Sequence, residues 1–142
     1  MRGSTMLEDN KALARRWFEQ VWNQKSEAAI DEMFSPHGKA YGFPQPESVV
    51  TGPEAFKQLQ RDFTGAFPDL QIVIDDLVAE GDVVAVRWHA EATHKGHHLG
   101  FPATGMRVSV TGSSFFAVEQ GKIVDGWNHM ELTGLIRRLQ QS

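Results

Sequence analysis

The feature that most constrains this chain is a change of hydrophobic period at Leu70. Before it, large apolar residues recur at helical spacing. Leu13, Trp17 and Val21 stand four residues apart, and Ala14, Phe18 and Trp22 fill the adjacent row. That spacing predicts a helix over Leu7 to Asn23 with a broad apolar face that must pack against something large. After it the period becomes two: Leu70, Ile72 and Ile74 alternate with Gln71, Val73 and Asp75, as on a half-buried strand. Helices first, then sequential strands joined by tight turns, define an α+β fold with a mostly antiparallel sheet rather than a βαβ fold.

The intervening signals divide the chain further. Ser26 to Phe34 reads as a short helix capped by Ser26, broken by Ser35-Pro36-His37-Gly38. Lys39 to Phe43 reads as a short strand stopped by Pro44 and Pro46. Thr51-Gly52-Pro53-Glu54 opens the next helix, with Pro53 in its first turn and Glu54 three residues after Thr51. Phe56, Leu59 and Phe63 give that helix one face, and Phe67-Pro68-Asp69 ends it. Glu80-Gly81-Asp82 predicts a hairpin turn into a long strand over Val83 to Thr93. His94 to Thr104 reads as a loop, Arg107 to Val118 and Ile123 to His129 as strands, and Glu131 to Gln140 as a closing helix. In that helix Leu132, Leu135, Ile136 and Leu139 face inward. A bent sheet clasped by the long first helix leaves a cavity of the kind that small molecules occupy.

Composition narrows the function. The 142 residues are the size of one domain, read here as 7–142, and the stretch 1–6 reads as a leader added for expression. A formal net charge of −4 gives no electrostatic case for nucleic acid or an anionic membrane surface. The absence of cysteine removes disulfides, thiolate metal sites and a cysteine nucleophile. No apolar run reaches the roughly 18 residues of a membrane span, and the chain reads as cytoplasmic.

Three segments carry a family resemblance. They are Gly52-Pro53-Glu54-Ala55-Phe56 leading to Ala66-Phe67-Pro68-Asp69-Leu70; His94-Lys95-Gly96 through Gly100-Phe101-Pro102-Ala103-Thr104-Gly105; and Gly121-Lys122-Ile123-Val124 through Trp127, then Gly134-Leu135-Ile136-Arg137-Arg138-Leu139. In this order and spacing they resemble the SnoaL-like polyketide cyclases. That family lies within the cone-shaped α+β barrel fold of nuclear transport factor 2, ketosteroid isomerase and limonene epoxide hydrolase. The resemblance implies a cofactor-independent enzyme that binds a small hydrophobic molecule (polyketide, terpenoid or steroid-like) in an internal pocket and works by general acid–base catalysis. It also implies a homodimer. A non-catalytic small-molecule binder is the alternative, because the family's catalytic Asp aligns with Asn128 and its catalytic His with about Ser114. An amide cannot carry the proton, although it can donate a hydrogen bond to a carbonyl or enolate oxygen.

Another group could take over the proton transfer. Arg87 and His89 lie two apart on the central strand and share a face. Limonene epoxide hydrolase places an Arg-x-Asp pair on the equivalent strand, and His89 stands where that Asp would be. His89 is then the candidate base, with Arg87 and Asn128 as polar stabilisers and Glu91 on the same face. Two readings of the Arg87, His89 and Glu91 face stay open: the pocket wall, or a solvent or dimer face. Asn128 in turn shares its face with Gly126 and Met130, unless Trp127 points inward instead. Tyr41, the single tyrosine, falls on the short strand where epoxide hydrolases of this fold carry a pocket tyrosine; it reads either as a catalytic hydrogen-bond donor to substrate or as a rim aromatic with a solvated hydroxyl. Trp22, Phe43, Phe63, Phe67, Glu91, Ser114 and Met130 make up the candidate substrate-binding set, with packing alone as the other reading of Trp22 and the three phenylalanines. His94, His97 and His98 do not read as a metal site, because no carboxylate stands among them. His94 reads instead as a residue that fixes its loop through backbone hydrogen bonds. No cofactor and no metal are expected.

Overall fold

The computed structural model of the chain describes residues 2–43 and 45–141, without the side chains of residues 2–5, 132 and 133. Pro44, expected to stop a strand, and the side chain of Leu132, expected to face inward, therefore lie outside the described residues. Helix α1 (Arg2–Arg16) runs on into a π-helical turn (Trp17–Asn23). Helix α2 (Glu27–Met33) follows, with Ser26 as its cap accepting from the Ala29 amide at 3.1 Å. Strands β1 (Phe34–Tyr41) and β2 (Val49–Thr51) precede α3 (Pro53–Ala66). Strands β3 (Gln71–Glu80), β4 (Val83–Thr93), β5 (Arg107–Glu119) and β6 (Lys122–Met130) then form a meander, and α4 (Leu132–Gln140) closes the chain.

Two local expectations change. The second helix stops at Met33, because Phe34 is already extended and opens β1. The strand then slips register between Phe34 and Lys39, which accommodates Pro36 inside it. At α3 the cap is Gly52 rather than Thr51, which belongs to β2. Gly52 has φ of 86°, a backbone conformation that favours glycine, and Pro53 begins the helix behind it.

The six strands form one curved sheet in the order β2-β1-β6-β5-β4-β3. All pairs are antiparallel except β1 with β6. Two bulges reset which side chains face the helices. On β3 the pairing skips between Ile74 and Asp76, so Ile72 and Ile74 face inward before it and Leu77 and Ala79 after it. On β6, Ala117 pairs with Asp125 but Val118 pairs with Ile123, leaving Val124 as the extra residue. Ile123 is buried before that bulge, and Gly126 faces inward after it.

The core fills the concave side. Val84, Val86, Trp88, Ala90 and Ala92 alternate inward from β4, against Leu13, Trp17, Phe18, Val21 and Trp22 from the first helix. Trp17 packs edge-on against Phe56 of α3 with ring centres 5.0 Å apart, and Trp22 stacks on Phe43 at 5.9 Å. Among the described residues no helix is long and apolar enough to cross a membrane.

Candidate functional site

The concave side is not completely filled. Between the helices and the sheet lies about 880 Å³ of atom-free space, part of it continuous with solvent. Its lining is almost wholly apolar with a few polar groups, as the linings of small-molecule sites are. Trp17, Phe18 and Trp22 from the first helix, Phe56 and Phe63 from α3, and Trp88 and Phe116 from the sheet make much of its wall aromatic. Trp22, Phe43, Phe63, Phe67, Ser114 and Met130 all border it.

One polar chain interrupts this wall. Ser114 and Asn128 are cross-strand partners on β5 and β6. Trp88 reaches over from β4, donating its indole N–H to Ser114 Oγ at 3.1 Å. An indole nitrogen can only donate, so the Ser114 hydroxyl accepts there and gives its own proton to Asn128 Oδ1, 2.8 Å away. Asn128 Nδ2 donates to the Tyr41 carbonyl at 3.1 Å. A carbonyl can only accept, so this contact fixes which way the amide points. Asn128 Nδ2 carries two protons, and no described residue takes the second.

Gly112 makes the chain possible. It pairs with Trp88 across β4 and β5, and a Cβ there would come within 2.3 Å of the indole ring. Without that side chain, the indole lies against β5 and its nitrogen reaches Ser114. Nothing in the linear sequence marked Trp88 or Gly112 as part of a site, because the contact is made across strands.

Three expected catalytic residues stand elsewhere. Arg87 and His89 occupy the outer face of β4, opposite Trp88 and Ala90, and their side chains are 67% and 37% exposed. Arg87 donates to Asp76 at 2.7 Å, and His89 Nδ1 lies 2.9 Å from both oxygens of Asp75. The β3 bulge is the physical reason for these pairs: by adding a residue, it turns both Asp75 and Asp76 outward. Tyr41 also faces outward. It stacks on Trp127 at 5.8 Å and donates its hydroxyl to Asp125 at 3.3 Å. Partial burial, then the nearby Asp125 charge, hold the phenol above its ordinary pKa. Glu91 borders the cavity, but its carboxylate is largely exposed and accepts from Arg107 at 3.5 Å.

His94 does fix its loop. It is fully buried, and its Nδ1 accepts from the Thr104 backbone amide at 3.1 Å and from the Thr104 hydroxyl at 3.0 Å. Those two donors require the neutral tautomer with its proton on Nε2. Burial lowers the pKa of the ring. Nε2 has no hydrogen-bond partner and lies among the rings of Phe67 and Phe101. Among the described residues no group of three or more His, Cys, Asp or Glu is placed to hold a metal ion.

Comparison with known proteins places this architecture. The profile of the SnoaL-like polyketide cyclase family matches residues 12–139, and the chain belongs to that family. A candidate SnoaL-like polyketide cyclase from Jannaschia sp. CCS1 superposes with a TM-score of 0.87 at 20% identity, covering 96% of this chain and 95% of that one. TsrD from Streptomyces laurentii gives 0.78 at 30% identity, covering 93% and 95%. AclR from Streptomyces galilaeus, a candidate hydroxylase, gives 0.80 at 29% identity, covering 96% and 87%. No curated protein sequence matches the chain significantly.

Proposed function

We propose that the cavity binds an uncharged, mostly apolar small molecule and holds one of its oxygen atoms on the Asn128 amide. The observation that carries this reading is the Trp88–Ser114–Asn128 chain, which orients the amide and leaves one N–H without a partner among the described residues. In an apolar cavity such a donor strengthens once a bound ligand has displaced the water that competes for it. A polyketide, terpenoid or steroid-like ketone fits that chemistry. A charged ligand does not: among the described residues Glu91 is the one titratable group bordering the space, and it is engaged by Arg107.

As an enzyme, such a site works by orientation and by polarising a carbonyl, not by a side-chain base within the cavity. Acid–base work by His89, Arg87 or Tyr41 has no support from their positions outside it. Non-catalytic binding is the second reading, favoured by Asn128 at the position where the family resemblance expects a carboxylate.

Two probes of similar shape test the oxygen contact: methyl naphthyl ketone and ethylnaphthalene. The native protein should favour the ketone, and Asn128→Leu should remove about tenfold of that preference, the worth of one hydrogen bond in a dry site. A preference left intact in the variant would sink the proposal. Recovering a bound polyketide or terpenoid chemically unchanged after incubation would favour the binder over the enzyme.

We also propose a homodimer through the outer face of the sheet. A row of apolar residues crosses all six strands in register there: Val49, Tyr41, Trp127, Phe115, Ala85 and Val78. Val49, Trp127, Phe115 and Val78 are between 38% and 63% exposed. A continuous exposed apolar stripe of this kind marks an association surface, and a second copy would cover it symmetrically.

A further inference from the structure

The first helix solves a problem of angle. Its apolar rows advance by steps of four residues: Leu13, Trp17 and Val21 in one, Ala14, Phe18 and Trp22 in the other. In an α-helix of 3.6 residues per turn, each step of four over-rotates by about 40°. Two steps would carry each row far around the helix and away from the sheet. From Trp17 to Asn23 the backbone instead winds as a π-helix, with the Gln24 amide reaching back five residues to the Glu19 carbonyl at 2.9 Å. That wider turn under-rotates the same step. The drift gained in α1 is thus undone, and Trp17, Phe18, Val21 and Trp22 are all buried. Trp17, Phe18 and Trp22 border the cavity.

Wide turns are rare, and this one is held by two side chains. Gln60 of α3, only 2% exposed, donates Nε2 protons to the Val21 carbonyl at 2.8 Å and the Ser26 carbonyl at 3.3 Å. A buried amide is costly unless bonded, and here it ties the Val21 carbonyl, within the π-turn, to the carbonyl of Ser26, the cap of α2. Asn23 does the same at the sheet. Its Nδ2 donates to the Ile72 carbonyl at 2.9 Å, and its Oδ1 accepts the Ile72 amide at 2.7 Å. Asn23 thus pairs with edge strand β3 much as a neighbouring strand would, at a residue that itself borders the cavity.

We propose that the π-helical turn, clamped by Gln60 and Asn23, sets the shape of the cavity's aromatic wall and selects ligands by their width. This rests on the cavity being the ligand site. Gln60 and Asn23 act through Trp17, Phe18 and Trp22, as positioning residues.

The test uses Gln60→Met, which keeps the bulk and removes both donors, and the milder Asn23→Asp, which keeps the acceptor for the Ile72 amide. The indole N–H resonances of the four tryptophans are followed by NMR. Those of Trp17 and Trp22 should move, and that of Trp88, whose ring packs against Phe18 at 6.3 Å, should follow more weakly, while that of Trp127 on the outer face stays. The ratio of affinities for methyl naphthyl ketone and methyl anthryl ketone should change by about tenfold. Unmoved Trp17 and Trp22 signals in a folded variant, or a ratio within about twofold of native, would overturn the proposal. Should Gln60→Met fail to fold, Asn23→Asp carries both readouts. Should the native protein bind neither ketone, the cavity reading falls, and the clamp is judged on the indole signals alone.

Discussion

The two faces of this sheet carry opposite chemistry one residue apart. On the concave face, Trp88, Ser114 and Phe116 are nearly inaccessible, and their polar atoms form a single neutral hydrogen-bond chain ending at Asn128. On the convex face, Arg87 and His89 are paired with Asp76 and Asp75 in solvent, and Phe115 and Trp127 lie bare. The charged groups that look most reactive in the linear chain stand where water screens them. The polar side chains of Ser114 and Asn128, which border the cavity, are uncharged, and its apolar lining would strengthen their bonds to a ligand that displaced water there.

The largest test of that contrast compares two neighbouring phenylalanines on β5. Phe116 is 3% exposed and Phe115 is 42% exposed. Phe116→Ala should cost about 3–5 kcal/mol in chemical denaturation, the usual loss for an aromatic removed from a core. Phe115→Lys should leave the fold standing and shift sedimentation from dimer to monomer. A protein that sediments as a monomer before the change would break the proposed use of the convex face.

A smaller effect distinguishes the buried histidine. Because burial lowers the His94 pKa, the folded chain resists a proton that the unfolded chain accepts below about pH 6.5. Stability should therefore be intact at neutral pH and fall as pH drops below that value, until the lowered folded pKa is reached. One proton limits the slope to about 1.4 kcal/mol per pH unit. His94→Asn places Oδ1 near the position of Nδ1, retains an acceptor for the Thr104 amide, and does not titrate. Urea unfolding at about pH 7 and about pH 5.5 should show a shallower loss in this variant. An unchanged slope would mean that other groups set the acid sensitivity.

The smallest effect belongs to the convex ion pairs. Arg87→Ala breaks a pair in which both side chains are mostly exposed, so it should leave the urea unfolding midpoint close to native. It should leave ketone binding as it was. A marked loss of binding would place Arg87 at the cavity after all and undo the contrast between the faces.

Much of the architecture was legible in the linear chain. The turn glycines, the strand over Val83 to Thr93 and the end of α3 before Phe67 all follow from local signals. So does the aromatic wall, because Trp22, Phe63 and Phe67 were placed by helical spacing and helix ends. The facing of the candidate catalytic residues was not legible. Strict alternation on β4 gives two faces but does not say which is concave, so Arg87 and His89 could be read into either.

Asn128 depended on something subtler. Counting by two from the buried Ile123 would put Trp127 inside and Asn128 outside. The extra residue at Val124 reverses that parity, and Asn128 then meets Ser114. The sequence by itself determined the periods: where helices and strands lie, and which residues can share a face. Only the tertiary structure decided which faces look inward and which carbonyls Gln60 must reach. The physical reason is that periodicity is written within a segment, whereas bulges and side-chain clamps exist only between segments brought together by folding.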